Sequence, residues 1–340
     1  MGKRPTVSFK LILAFAILMM IVSVGSIVAM RLIMARIGNT GVTQSDPYSK
    51  HYAFIHNGTG EELWSNLYQA AAAKGETLDA YVEDFGHDLT VAYSAPELVR
   101  IAVDASVDGI IVDGGTDEEM AEAIAYASAA HIPVVTVFND CADSDRICFV
   151  GFSNYNIGRQ YGAEMLKNPP EDALKVCVVM DSENAGGSNL VISGIYDEFA
   201  ENGYADKCEI EGVYVNNETA FTAEEDIRDI FLNGSLPDVM VALNSVYTRC
   251  LFQAAVDYNK TVGIALYGFD DADDILEAVR KGLLEVTVTV DASQMGESAV
   301  EALDEYINTG YVTAYIAQDT EVITAAKATQ LLADETEKPE

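Results

Sequence analysis

Two carboxylates, three carboxamides and two aromatic rings stand out by type and position. Asp140, Asp270, Asn139 and Asn244 each follow shortly after an apolar, strand-like run, and Asn154 follows another. Trp64 and Phe221 fall near the starts of helix-like stretches. A carboxylate accepts hydrogen bonds from two hydroxyls, and a carboxamide both donates and accepts. An aromatic face covers the apolar C–H side of a ring. Such a set suits a neutral, hydroxyl-rich guest. An anionic guest would be repelled by the carboxylates, since Arg, Lys and His are scarce in the same loops. Each residue also has a structural reading. Asp270 is placed to cap a helix beginning near Asp271, Asn244 and Asn154 to cap others, Asn139 and Asp140 to shape a turn, and Trp64 and Phe221 to pack a helix.

Other chemistry has less support. Two carboxylates across a cleft could hydrolyse a glycoside, which stands as a remote alternative. The sequence has no HExxH, GxSxG, Walker A or GxGxxG pattern. The acidic run Asp270, Asp271, Asp273, Asp274 lacks the spacing and glycine of an EF-hand loop, and reads as a helix N-terminus. The four histidines are scattered. No metal and no cofactor is expected.

The elements that must position these residues alternate. Apolar strand candidates fall at 51–55, 78–82, 109–112, 133–137, 147–150, 175–180, 239–243, 264–269 and 285–290. Helical patterns such as 61–74, 117–130, 157–166, 189–201, 223–232 and 293–308 lie between them. Continuous apolar strands separated by amphipathic helices predict parallel sheets covered on both faces. One spacing occurs twice: Asp108 to Ile132 and Asp238 to Val262 are both 24 residues, and Asp108 to Asp140 and Asp238 to Asp270 are both 32. This echo predicts two similar α/β lobes, each with a carboxylate beyond the end of the same strand. Ligands bind at the carboxyl ends of strands in open α/β sheets, so facing lobes would bring Asp140 and Asp270 to one cleft.

The ends read differently. Leu11 to Met30 is a run of 20 uncharged, mostly apolar residues, long enough to span a bilayer as a helix. Lys3, Arg4 and Lys10 precede it and Arg31 and Arg36 follow. The preceding charges favour a cytoplasmic N-terminus. The run is longer than a signal-peptide core and Arg31 follows directly, so an uncleaved anchor leads and cleavage comes second. No cysteine follows the run to carry a lipid; the first is Cys141. Residues 1–37 are thus expected to be a cytoplasmic tip and anchor, 38–50 a linker and 331–340 an acidic tail. The chain's formal net charge is −34. A body so acidic repels phosphate backbones, so nucleic acid is not an expected partner. The five cysteines form no CxxC pair; Cys141 and Cys148 flank a short acidic segment and are open to a disulfide or to two separate thiols.

Between about 51 and 328 the chain resembles the type I periplasmic-binding-protein family, in its ribose- and galactose-binding branch. The segments carrying the likeness are 107–112 (VDGIIV), 130–137 (AHIPVVTV), 150–158 (VGFSNYNIG), 193–199 (SGIYDEF) and 267–270 (YGFD). The resemblance implies two Rossmann-like lobes joined by a three-strand hinge: 51–153 with 291–319, and 154–290 with 320–330. It implies that Trp64 and Phe221 stack on a sugar ring and that Asn244 and Asp270 bind its hydroxyls. It also places Phe138 and Asn139 at the family's Asp-Arg pair, with Asp140 displaced by one, and Asn154 in the segment after the fifth strand. Three family donors are missing: Val191 stands for an arginine, Val290 for a glutamine, and the family's first-lobe arginine is absent too. That points away from ribose and toward a less polar sugar, a deoxysugar or another polyol, or toward a degenerate site. The implied function is non-enzymatic: a monomeric, membrane-tethered, extracytoplasmic domain that delivers a sugar to an ABC permease or, alternatively, signals to a sensor histidine kinase.

Overall fold

Runs such as Val134–Val137 and Val286–Val290 are buried at every position, as strands covered on both faces must be. In the computed structural model, which describes residues 48–56, 61–87, 89–115, 118–168, 173–181, 185–215, 220–233 and 236–336, these runs form two six-stranded sheets. The first is built from β1 (Lys50–Ile55), β2 (Ala80–Asp84), β3 (Gly109–Asp113), β4 (Val134–Val137), β5 (Cys148–Gly151) and β11 (Tyr315–Ala317), in the order β11-β5-β4-β3-β1-β2. The second comprises β6 (Leu174–Asp181), β7 (Cys208–Val215), β8 (Val239–Ala242), β9 (Ala265–Phe269), β10 (Val286–Val290) and β12 (Thr320–Ile323), ordered β12-β10-β9-β8-β6-β7. Every pairing is parallel except β10 with β12.

The helices are α1 (Glu61–Thr77), α2 (Ala95–Asp104), α3 (Glu118–Ala129), α4 (Asn154–Met165), α5 (Ala185–Glu201), α6 (Ala220–Asn233), α7 (Ser245–Asp257), α8 (Asp273–Arg280), α9 (Ala292–Thr309) and α10 (Ala325–Thr336). Helix α4 follows a strand of the first sheet but packs on α5 beside the second, and α9 follows a strand of the second but packs on α1 beside the first. With β11 and β12 on different sheets, the chain passes between the lobes three times. The largest buried cluster runs through both lobes, with a satellite in each. The fold is therefore the expected two-lobed α/β architecture.

The internal echo has a structural meaning, shifted from the one expected. Asp108 accepts from the His51 N–H at 2.8 Å and Asp238 from the Lys175 N–H at 2.8 Å, so each ties the start of a central strand to its neighbour. Past the strand ends the equivalence moves. The Phe138 N–H donates to Val150 O and the Asp270 N–H to Val288 O; both residues have positive φ, 62° and 92°. Phe138, not Asp140, is the counterpart of Asp270.

Strands β7, β11 and β12 lie at sheet edges and were not among the expected strands. All five cysteines are free thiols. No helix among the described residues is long and apolar enough to cross a membrane. The run Leu11–Met30, the linker through residue 47 and the end of the acidic tail from 337 lie outside the described residues.

Candidate functional site

Asp270 leaves β9 in a backbone conformation that non-glycine residues rarely adopt, and its side chain is buried, only 4% exposed. Thr287 Oγ1 holds its carbonyl at 2.7 Å, and its own Oδ1 accepts from the Asp271 N–H at 2.8 Å. It caps no helix: α8 starts later, with Ala272 at its cap and no side-chain bond there. Burial raises the Asp270 pKa, with Glu62 of the other lobe adding to the rise and Arg249 opposing it. Buried carboxylates at strained backbone positions cluster at binding sites.

Rings connect this position to Trp64. Trp64, in the first turn of α1, is 2% exposed. The His56 imidazole stacks on it at 5.4 Å and 12°, and Phe138 meets it at 5.7 Å. Phe138, swung inward by its positive φ, then contacts Phe152 at 5.1 Å and Phe269 at 6.1 Å. Phe269 is the last residue of β9 and precedes Asp270. A chain of aromatic rings thus crosses from the first lobe to the second.

Next to it lies a cavity of about 450 Å³ lined by Leu63 and Asn66 of α1, Asp271 and Thr289 of the second lobe, and the crossover residues Val290–Gln294 and Asp319–Glu321. Burial, with Asp270 alongside, pushes the Asp271 carboxyl up to about 6. Glu62 is raised by partial burial and by Asp273 and Asp271 across the gap. The cation in this region is Arg249, which is bound by both oxygens of Asp274 at 2.7 and 2.9 Å. Sequence reasoning missed Arg249 because only folding of α7 against α8 brings it to the cleft.

The remaining sequence-predicted residues divide. Asn244 caps α7, its Oδ1 accepting from the Tyr247 N–H at 2.8 Å, so the capping alternative holds for that oxygen. Asn139 Nδ2 donates to Asp113 Oδ1 at 2.9 Å. Asp140 is held within its own lobe: Arg146 binds both of its oxygens, through Nε and, at 2.7 Å, through Nη2, and Thr136 Oγ1 donates to it at 3.2 Å. The expectation that Asp140 mirrors Asp270 is corrected here: a guanidinium six residues on draws that carboxylate aside, and the mirrored position belongs to Phe138. Asn154 is the first residue of α4, whose cap is Ser153. Phe221 is 68% exposed. Val191 and Val290, where the resemblance leads one to expect donors, are both buried.

Asp113 was not foreseen. It ends β3, is 4% exposed, and burial pushes its carboxyl to about 7 against the pull of Asn139. A lone aspartate after GIIV carries no sequence signal, because any strand can end on a turn-forming residue.

A family model described as "periplasmic binding protein domain" matches residues 52–311. The D-apiose import binding protein of Paraburkholderia graminis is 24% identical over 248 residues, 70% of this chain and 77% of that protein. GanP, a glucose-galactose binding protein from Geobacillus stearothermophilus, superposes with a TM-score of 0.72 at 22% identity, over 82% of this chain and 98% of that one. A chain of the XylFII-LytSN complex does so with a TM-score of 0.69 at 25% identity, over 82% and 99%. With the family model matching most of its length, this chain belongs to the periplasmic binding protein domain family, a family of binding proteins.

Proposed function

We propose that this protein binds a sugar outside the cell and delivers it to an ABC-type importer. The observation that carries the reading is the meeting of Trp64, the bridging rings and the buried Asp270 carboxylate between two lobes. The ring supplies a stacking surface and the carboxylate an acceptor for hydroxyls. Asn244 Nδ2 and the Asn139–Asp113 pair add polar groups at neighbouring strand ends. Asn154 and Phe221 belong to the proposed set as residues that reach the guest from the hinge and the cleft mouth. The chain divides at its crossovers into 51–153 with 291–319 and 154–290 with 320–330, and closure of these lobes traps the guest. The D-apiose import relative supports import. The run Leu11–Met30 anchors the body to the membrane.

A second reading is a tethered sensor that signals to a histidine kinase. It is favoured by the XylFII-LytSN complex, in which a neighbour of this fold occurs with a second protein. Calorimetry and thermal shift against D-apiose, D-glucose, D-galactose and a wider panel of pentoses, hexoses and inositols test sugar binding; silence across the panel defeats it. Affinity purification of the full-length chain from its own membranes then separates a permease partner from a kinase. Release of reducing sugar from a glycan panel would instead establish hydrolysis.

A further inference from the structure

His56, the first residue after β1, lies parallel to the chain's one tryptophan, with ring centroids 5.4 Å apart and planes at 12°. Phe54 of β1 meets the indole edge-on at 6.4 Å and the imidazole at 5.8 Å. Behind the imidazole stand Asp84 and His87. Its Nε2 is 3.5 Å from Asp84 Oδ1, at the end of β2, and the other Asp84 oxygen is 3.7 Å from His87 Nδ1 in the loop that follows. The His56 side chain is 18% exposed, whereas that of His87 is 70% exposed.

We propose that His56 is a positioning residue for the Trp64 platform: its ring sets the plane of the indole, and its protonation places a positive charge behind that plane. The proposal rests on the reading of Trp64 as the surface on which the guest stacks. A neutral imidazole is a flat stacking partner. An imidazolium attracts the π electrons of the indole toward itself, and so away from the C–H groups of a guest that stacks on the far face once the lobes part, the ring being 2% exposed in the present arrangement. The groups that bear on this titration are Asp84 from β2, which favours the cation, and His87, which opposes it when charged. Burial among Phe54 and Trp64 is the largest influence; with His87 acting in the same direction it outweighs Asp84 and lowers the His56 pKa below the usual imidazole range. The platform is therefore backed by a neutral ring at neutral pH and by a cation only in acid.

Trp64 is itself the reporter, so no ligand is needed. In the full-length protein its emission is followed against pH, and acrylamide quenching measures its accessibility. The expected result is a step in emission below the ordinary histidine range. His87→Gln should move that step to higher pH and Asp84→Asn to lower pH. His56→Phe, which keeps a stacking ring without a titrating one, should lose the step yet protect Trp64 from acrylamide as the wild type does. His56→Ala should lose the step and raise the quenching constant several-fold. A step that persists in His56→Phe, or an unchanged quenching constant in His56→Ala, overturns the proposal; a far-UV spectrum and melt on each variant show that it is folded. These readouts are independent of the sugar panel, so a failure of sugar binding and a failure of this inference are told apart.

Discussion

Asp270 combines positive φ, burial and a raised carboxyl; hydroxyl donors from a guest would offset the burial of its charge and bring the carboxyl down. Charge-assisted hydrogen bonds contribute ~1.5–3 kcal/mol each. Asp270→Ala should therefore weaken binding of a sugar identified in the panel by about tenfold or more, and Trp64→Ala should do likewise by removing the stacking face. Calorimetry on both variants checks this, and wild-type affinity in either removes that residue from the site. Asp113 carries a different expectation. Its carboxyl sits near 7 in the folded protein and near 4 when unfolded. Between those values the folded state binds more protons, so this group's contribution to stability falls as pH rises through the window. Asp113→Asn keeps an oxygen to accept from Asn139 and removes the titration. The variant should match the wild type at the acid end and exceed it above neutrality, by on the order of 2–4 kcal/mol. Denaturant midpoints across that range read the difference; a constant gap at every pH would show that Asp113 is not held protonated.

Helix contacts set how well each lobe keeps its strand ends in place. Helix α4 packs against α5 with glycine meeting backbone: a Cβ on Gly158 would lie 2.1 Å from Val191 O, and one on Gly194 2.1 Å from Tyr155 O. Backbone atoms cannot yield as a flexible side chain can, so Gly158→Ala must push the helices apart. Overpacking of this kind costs ~1–3 kcal/mol or more, and a thermal melt should fall accordingly. Asn154 begins α4, so the same substitution should also disturb the hinge side of the cleft. The first lobe repeats the device, with Gly296 of α9 set 2.1 Å (as Cβ) from Leu67 O of α1, the helix that carries Trp64. The two lobes thus share a means of seating a helix as well as a strand order.

At the scale of the whole molecule the formal charge of −34 dominates. Several surface ion pairs, such as Arg159 with Glu201 and Lys327 with Glu321, join oppositely charged groups, but most acidic residues have no cation to match them. Self-repulsion destabilises a compact polyanion, and salt at about 0.15 M cuts its range to ~8 Å. Raising salt from a few millimolar to that level should raise the melting midpoint, by ~2–4 °C for each kcal/mol recovered. A midpoint insensitive to salt would mean that the charges are already neutralised locally.

Buried runs of valine and isoleucine made the alternating strands and helices legible in the amino-acid sequence, because strands covered on both faces admit little else. The repeated spacing from Asp108 and Asp238 likewise exposed the twin halves, since both aspartates tie one strand to the next. The edge strands β7, β11 and β12 escaped notice because β11 and β12 are short and the first half of β7 alternates charged with apolar residues, leaving only a short apolar run at its end. Which groups share the cleft was decided by tertiary structure alone. Arg146 takes Asp140, Phe138 occupies the position opposite Asp270, His56 lies on Trp64, and Arg249 reaches the acidic lip. Each of those outcomes depends on sheet register, on backbone turns of positive φ or on the approach of one lobe to the other, and local patterning encodes residue type and burial but not the partners that long-range packing will supply.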